Sequence, residues 1–167
     1  YDGMGSYGNR EHVWPNSKLG SVKYDLHNLR AANTSTNSAR SNYPFADNKK
    51  PFTGSQPYEK IGSTWYPGDE HIGDVARIVF YISIRENLSL NLVGNVSLFL
   101  KWHELDPVDD FEINRNDNIF EIQNNRNPFI DHPELAQIYF GNGTMSTTLA
   151  LLDLTFDMFS YNRNYAI

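Results

Sequence analysis

The 167-residue chain contains no cysteine, so it can form no disulfide, no thiolate metal site and no thiol nucleophile. It also lacks the roughly 18 consecutive apolar residues that a membrane span requires, and we expect no membrane contact. The sequence shows no Gly-rich phosphate loop, no nucleophile elbow and no HExxH helix. No basic-then-apolar leader precedes Tyr1, so we expect a processed secreted form or a trimmed chain.

Positive charge is also scarce, since the formal net charge is −6 and the pI is about 5.3. This balance argues against a nucleic-acid partner, because phosphate binding depends on Lys and Arg. However, net charge does not describe a local cleft, and a bound divalent cation adds positive charge where a phosphate would lie. The aromatic fraction of 14% and the acidity would also suit a non-catalytic module that binds carbohydrate or protein.

The clearest helix is predicted at residues 73–87. Val75, Ile78, Val79 and Ile82 recur at the spacing of one helix face. Residues 11–14 and 24–29 favour short strands, whereas 43–66 is rich in Pro and Gly and is expected to be irregular. An amphipathic strand is predicted near the end, at 152–158.

Weaker patterns predict four more helices, at 31–40, 92–104, 106–123 and 132–139. Asn33 or Ser35 could cap the first of them. The helix at 106–123 would begin with Asp106 as its cap and Pro107 in its first turn. Its apolar side chains are expected to face inward, namely Phe111, Ile119 and Ile122.

The dipeptide Glu11-His12 is the first candidate for chemistry. A neutral imidazole is a natural base for deprotonating water, and a neighbouring carboxylate can hold a hard divalent ion. The alternative is that His12 packs against Trp14 and that Glu11 is a solvated edge residue. Adjacent strand residues face opposite ways, so a shared site needs a twisted or ending strand, which Pro15 favours.

Polar residues in two later segments could complete a site. Asn37 offers a neutral oxygen ligand, and the nearby Arg40 and Asn42 could meet a phosphate. In the polar run 121–127, Arg126 could bind phosphate oxygens with both arms of its guanidinium. Each of these residues could equally be a surface or capping residue. For His27 we expect a buried, hydrogen-bonding role.

Several segments together resemble the endonuclease I family of bacterial nucleases. They follow the family's order and cover roughly residues 9–140, with 141–167 expected to be a C-terminal extension. The segments are Asn9-Arg10-Glu11-His12-Val13-Trp14-Pro15, Asp25-Leu26-His27-Asn28-Leu29-Arg30, Asn37 through Ser41-Asn42-Tyr43-Pro44-Phe45, Gly73-Asp74-Val75-Ala76-Arg77, Trp102-His103 with Asp106-Pro107-Val108, and Asn116-Asp117 through Glu134.

The resemblance implies an α+β fold with a ββα-metal (His-Me finger) nuclease core and several added helices, in one nuclease domain spanning 1–167. It implies that His12 is the general base and that Glu11 and Asn37 hold a divalent ion, Mg²⁺, with Mn²⁺ or Ca²⁺ as alternatives. The remaining expected site residues are Arg40, Asn42, Arg126 and Asn127 for substrate binding, and His27 and Asn28 in support.

The chain also departs from the family pattern. Periplasmic members carry disulfides and a longer insertion after the histidine strand, where an arginine can face the leaving group. Here the connection from Pro15 to Tyr24 is short and offers only Lys18 and Lys23. Arg126 and Arg40 are therefore the candidates for the cation that faces the scissile phosphate.

The sequence therefore predicts a metal-dependent endonuclease that hydrolyses DNA and RNA to 5′-phosphate ends with no sequence preference. We expect a monomer that is secreted or periplasmic, like most of the family. The alternative is a binding module or a degenerate nuclease fold that is used for protein or carbohydrate interaction.

Overall fold

The computed structural model describes residues 8–19, 23–47 and 59–141. Its strands and helices are, in chain order, β1 Asn9–His12, β2 Leu29–Ala32, α1 Thr34–Arg40, β3 Glu59–Ile61, β4 Thr64–Tyr66, α2 Ile72–Glu86, α3 Val96–Leu105, α4 Asp110–Gln123, α5 Pro128–Asp131 and α6 Leu135–Phe140. Strands β1 and β2 form one antiparallel pair, and β3 and β4 form another. This arrangement confirms the predicted α+β class.

Helix α2 is the centre of the molecule, since every residue from Ile72 to Ser83 is buried. A helix that is apolar on most of its sides must be covered on most of its sides, and α2 packs against α3 and α5. The ring of Phe80 lies against Phe99 and Phe129, with ring centroids 6.4 and 5.5 Å apart. Burying one such side chain stabilises the fold by roughly 1.5–3 kcal/mol.

Strands β1 and β2 and helix α1 form a compact unit at the edge of this core. In the strand pair, Glu11 lies opposite Arg30 and His12 lies opposite Leu29. Helix α1 then begins directly after Asn33, whose side chain accepts a hydrogen bond from the Ser35 backbone N–H at 2.8 Å. This cap satisfies one of the backbone donors left free at the helix start. Of the two predicted caps, the structure confirms Asn33.

The strand predicted at 24–29 is wrong for most of its length. Asp25 accepts a hydrogen bond from the His27 N–H and so starts a short 3₁₀ turn, Leu26–Asn28. Strand β2 begins only at Leu29. The segment 43–66 is likewise not irregular throughout, because β3 and β4 lie within it.

Helix α4 is capped three residues later than predicted. Its cap is Asp109, which accepts a hydrogen bond from the Glu112 N–H. Asp106 instead accepts one from the Gly73 N–H at 2.9 Å, across to helix α2. Of the three side chains predicted to face inward, Ile119 is buried, but Phe111 is 56% exposed and Ile122 is 72% exposed.

The predicted helices at 73–87 and 92–104 are confirmed as α2 and α3, with the start of α3 shifted to Val96. The helix predicted at 132–139 is confirmed as α6, with its start shifted to Leu135, and α5 is a separate short helix before it that was not predicted. The strand predicted at 152–158 lies outside the described residues, and the single domain over 1–167 stays a prediction. No helix in the described part of the chain is long and apolar enough to cross a membrane.

Candidate active site

His12 is the last residue of β1, and its ring is half-buried. Its Nε2 atom lies 2.9 Å from the backbone carbonyl oxygen of Lys23. A carbonyl oxygen only accepts hydrogen bonds, so this contact places the ring proton on Nε2. In the neutral imidazole, Nδ1 then carries the lone pair and can accept a proton.

The chain immediately after His12 is held by the side chain of Asn28. The Asn28 amide accepts a hydrogen bond from the Trp14 N–H at 2.7 Å and donates one to the Trp14 carbonyl at 3.1 Å. The Asn28 carbonyl also accepts from the Val13 N–H at 3.0 Å. Because Asn28 is fully buried, these bonds fix how the strand leaves the site. This placement fits the supporting role predicted for Asn28.

Glu11 carries a buried carboxylate, with only 2% of the residue exposed. Its Oε1 lies 3.0 Å from Nε of Arg40, but neither atom has a well-aligned hydrogen-bond partner. Burial raises the pKa of Glu11 to about 7, although the Arg40 charge opposes that rise. Near neutral pH this carboxylate is therefore incompletely stabilised, and a second positive charge beside it would be favourable.

Arg40 is fully buried, and its guanidinium is surrounded by protein groups. It donates to the carbonyls of Val13 at 2.9 Å and Ser41 at 2.8 Å, and it lies over the ring of Phe45 at 4.7 Å. The phosphate contact predicted for Arg40 does not fit this placement. Its position instead neutralises Glu11 from the core side.

Helix α1 brings Asn37 to the same place. The Asn37 Nδ2 donates to the Arg10 carbonyl at 3.3 Å, which is the peptide group that leads into Glu11. The amide oxygen of Asn37, at the other end of the group, is of the type that binds hard cations. Asn42 has an exposed side chain that contacts the Ser17 hydroxyl at 3.4 Å, so it stays accessible.

These oxygens suit a hard divalent cation. Within residues 8–19, 23–47 and 59–141, no three His, Cys, Asp or Glu side chains cluster in a way that could hold a metal ion. A site here would instead combine one carboxylate, one amide oxygen and water. Mg²⁺ accepts such a set, because it usually keeps several waters. The observation that fits this ion is the Glu11 carboxylate itself, which is buried and whose contact with Arg40 is not aligned as a hydrogen bond.

Two other predicted substrate residues are engaged elsewhere. Asn127 is fully buried: it caps α5 through the Phe129 N–H at 3.0 Å and donates to the Arg77 carbonyl at 3.1 Å. A direct substrate contact does not fit this position. Arg126 is partly exposed but pairs with Asp131 at 2.7 Å and with Asp117 at 2.8 Å.

His27 is fully buried, and its Nε2 donates to the Asn125 carbonyl at 3.2 Å. This confirms the expected buried, hydrogen-bonding role, although His27 lies in a 3₁₀ turn rather than a strand. Burial lowers the pKa of His27 to about 4. The His12 ring is oriented by the Lys23 carbonyl, which its Nε2 contacts at 2.9 Å, and not by His27.

Sequence patterns alone did not single out three exposed residues beside these groups: Arg10, Lys23 and Tyr24. Arg10 precedes Glu11 in the resembling segment, which is a signal for it. The contact of Lys23 with His12 crosses a loop, so it depends on tertiary structure and leaves no pattern in the sequence.

The sequence model that describes endonuclease I matches residues 1–134 of this chain. The chain belongs to the endonuclease I family. An extracellular ribonuclease of Bacillus amyloliquefaciens is 41% identical over 150 residues, covering 77% of this chain and 52% of the relative. A periplasmic deoxyribonuclease of Aeromonas hydrophila is 30% identical over 134 residues, covering 74% and 54%. This endonuclease I chain thus spans about half the length of the curated relatives it matches.

Proposed function

We propose that this chain is a metal-dependent endonuclease that hydrolyses the phosphodiester bonds of DNA and RNA without sequence preference, leaving 5′-phosphate ends. Family membership supports the reaction class. Relatives named as a ribonuclease and as a deoxyribonuclease support both substrates. Their names as extracellular and periplasmic proteins support a secreted or periplasmic location.

The observation that carries the proposal is the position of His12. Its Nε2 is held by the Lys23 carbonyl at 2.9 Å, and it follows the buried carboxylate of Glu11 directly in the chain. We take β1, β2 and α1 to be the ββα-metal core, because this unit carries His12, Glu11 and Asn37. In that core the tautomer of the base is preset before any substrate arrives.

His12 then acts as the general base. Its Nδ1 takes a proton from a water molecule, and the water oxygen attacks the phosphorus atom. The bond from phosphorus to the 3′ oxygen breaks, the phosphate stays on the 5′ side, and the 3′ oxygen takes up a proton from solvent. General base catalysis of this kind contributes about 10²–10⁴-fold to the rate.

Glu11 and Asn37 are the residues that would hold the cation, with Mg²⁺ the first choice and Mn²⁺ or Ca²⁺ as alternatives. When bound, such an ion supplies positive charge that stabilises the charge growing on the phosphate in the transition state. Arg40 is a positioning residue in this account, since it holds the Glu11 carboxylate from behind.

Substrate contacts are expected from side chains that face solvent around His12. Arg10 and Lys23 are exposed cations, Asn42 is an exposed amide, and Arg126 would act only by exchanging its carboxylate partners for phosphate. Contacts to phosphate and sugar carry no sequence information. This arrangement therefore fits cleavage with little sequence preference.

A plasmid-nicking assay tests the proposal. The purified chain should convert supercoiled plasmid to nicked and linear forms with Mg²⁺, and EDTA should stop the reaction. DNA ligase should join the products, because ligation requires the 5′ phosphates that the proposed cleavage leaves. Glu11→Gln should raise the Mg²⁺ concentration needed for half-maximal rate at least tenfold. Intact plasmid and intact RNA with Mg²⁺, Mn²⁺ and Ca²⁺ would favour a binding module or a degenerate nuclease instead.

A further inference from the structure

Tyr24 presents an aromatic ring to solvent beside the candidate active site. It is 75% exposed, the highest value among the large apolar side chains in the described part of the chain. A ring this open gains little from the hydrophobic core. Its exposure is therefore not explained by the packing of the fold.

The backbone on both sides of Tyr24 is anchored although its ring is not. On one side, the Lys23 carbonyl binds the His12 ring at 2.9 Å. On the other, the buried carboxylate of Asp25 accepts hydrogen bonds from the Tyr81 hydroxyl at 2.7 Å and the Gln123 amide at 2.8 Å. The ring thus projects from a segment whose position is fixed relative to the catalytic imidazole.

We propose that Tyr24 is a stacking platform for an unpaired base of the strand whose phosphate faces His12. The inference rests on the proposed function, and it names single-stranded DNA and RNA as the substrates whose binding this ring strengthens. Every base has a π-face, so stacking is compatible with cleavage that ignores sequence. Lys23, the residue before Tyr24, is also exposed and offers a cation for the backbone of the same strand.

A duplex cannot use this platform in the same way. Its bases are already stacked on each other, and a protein surface that does not enter a groove meets mainly phosphate and sugar. Stacking of one base on an aromatic side chain is worth roughly 5-fold to 150-fold in affinity. Tyr24 should therefore matter for single strands and contribute little for duplexes.

Kinetics on two substrates test this. We would measure kcat and KM for a single-stranded oligonucleotide and for the same sequence as a duplex, with Tyr24→Ala, Tyr24→Phe and Tyr24→Trp. Tyr24→Ala should lower kcat/KM on the single strand about tenfold, mainly through KM, and change it less than twofold on the duplex. The Phe and Trp variants should stay within twofold of wild type, because they keep a ring.

Two controls make the result specific. Leu105→Ala removes another exposed apolar side chain, 62% exposed at the end of α3, and should leave both substrates unaffected. Replacing the bases around the cleaved bond with abasic sites should remove the difference between wild type and Tyr24→Ala.

Three outcomes would overturn the stacking role. They are an unchanged single-strand KM in Tyr24→Ala, a loss in Tyr24→Phe as large as in Tyr24→Ala, or equal losses on single strand and duplex. Any of these would leave the nuclease proposal standing, provided that the wild-type chain cleaves with Mg²⁺ and that EDTA stops the cleavage. No cleavage by the wild-type chain with Mg²⁺, Mn²⁺ or Ca²⁺ would instead remove the nuclease proposal itself.

Discussion

At the scale of single residues, Glu11 and Arg40 depend on each other. Both are buried, and the Glu11 Oε1 lies 3.0 Å from the Arg40 Nε. Removing one member of a buried ion pair leaves the other charge without compensation in a poorly solvating interior. The pair therefore supports the site geometry and is sensitive to single substitutions.

A double-mutant cycle measures this dependence. Arg40→Met should lower the free energy of unfolding by about 3–5 kcal/mol, because it leaves the Glu11 carboxylate uncompensated. In the Glu11→Gln background, the loss of unfolding free energy caused by Arg40→Met should be smaller by roughly 0.5–3 kcal/mol. The measurement is urea unfolding of the four proteins.

The matched control is Lys101→Met, which breaks the exposed pair with Asp47 and should cost less than about 1 kcal/mol. Strict additivity of the Glu11 and Arg40 losses would show that the two side chains are not coupled.

The sequence predicted part of the candidate site at this scale. Glu11, His12 and Asn37 were predicted as a group through the family resemblance, and the structure places them on β1 and α1. Arg40 was predicted to meet a phosphate, because an arginine near such residues is typical of an anion site. Its burial depends on Val13, Ser41 and Phe45 surrounding it, and sequence spacing carries no information on that.

At the scale of elements, the packing of α2 against the segment before α4 constrains Gly73. A Cβ atom at Gly73 would overlap the carbonyl oxygen of Asp106, whose side chain also accepts from the Gly73 N–H. A backbone oxygen held in this way cannot move aside cheaply. Glycine is therefore required by this close approach and not by a turn.

The sign of the change in unfolding free energy in Gly73→Ala distinguishes an effect of helix propensity from an effect of packing. Propensity alone predicts a gain of up to about 1 kcal/mol from alanine in a helix. Overlap with Asp106 predicts a loss of about 1–3 kcal/mol. We expect the loss, seen as a lower urea midpoint, and a raised midpoint would contradict the described contact.

The same contact explains why the start of α4 was mispredicted. The stretch Asp106-Pro107-Val108-Asp109-Asp110 offers more than one acidic cap close to a proline. Asp106 is occupied by Gly73 of α2, so Asp109 takes the capping role. The periodicity of α2 was sufficient to predict that helix, whereas the choice between two caps depends on a tertiary hydrogen bond.

At the scale of the whole molecule, the buried His27 should lower stability in mild acid, whereas the buried Glu11, whose pKa is raised to about 7, acts in the opposite direction. Burial lowers the pKa of His27 to about 4 from an ordinary value of 6.5. Between these values the unfolded chain binds a proton that the folded chain does not, so the free energy of unfolding rises with pH. The stability that the neutral, buried His27 contributes to the fold is fully present above about pH 6.5 and is lost as pH falls through about 4.

Unfolding by urea from pH 4 to 7 tests this. His27→Phe should reduce the slope of unfolding free energy against pH by up to about 1.4 kcal/mol per unit between pH 4 and 6.5. His132→Gln removes an exposed imidazole and should keep the wild-type slope. If His27→Phe keeps the wild-type slope of unfolding free energy against pH, His27 does not cause this pH dependence.

The acidic balance of the whole chain, −6, is compatible with a nucleic-acid substrate because the relevant charges are local. Arg10 lies one residue before Glu11, and Lys23 contacts the His12 ring through its carbonyl. Both side chains are exposed. Composition describes the average surface, and it carries no information on which cations lie near the candidate active site.

The role of His12 is most directly tested by single-turnover cleavage of an oligonucleotide with saturating Mg²⁺, comparing wild type with a folded His12→Ala variant of the same melting temperature. If the imidazole removes the proton from the attacking water, the variant should cleave about 10²–10⁴-fold more slowly. Cleavage by the variant at the wild-type rate would contradict the account.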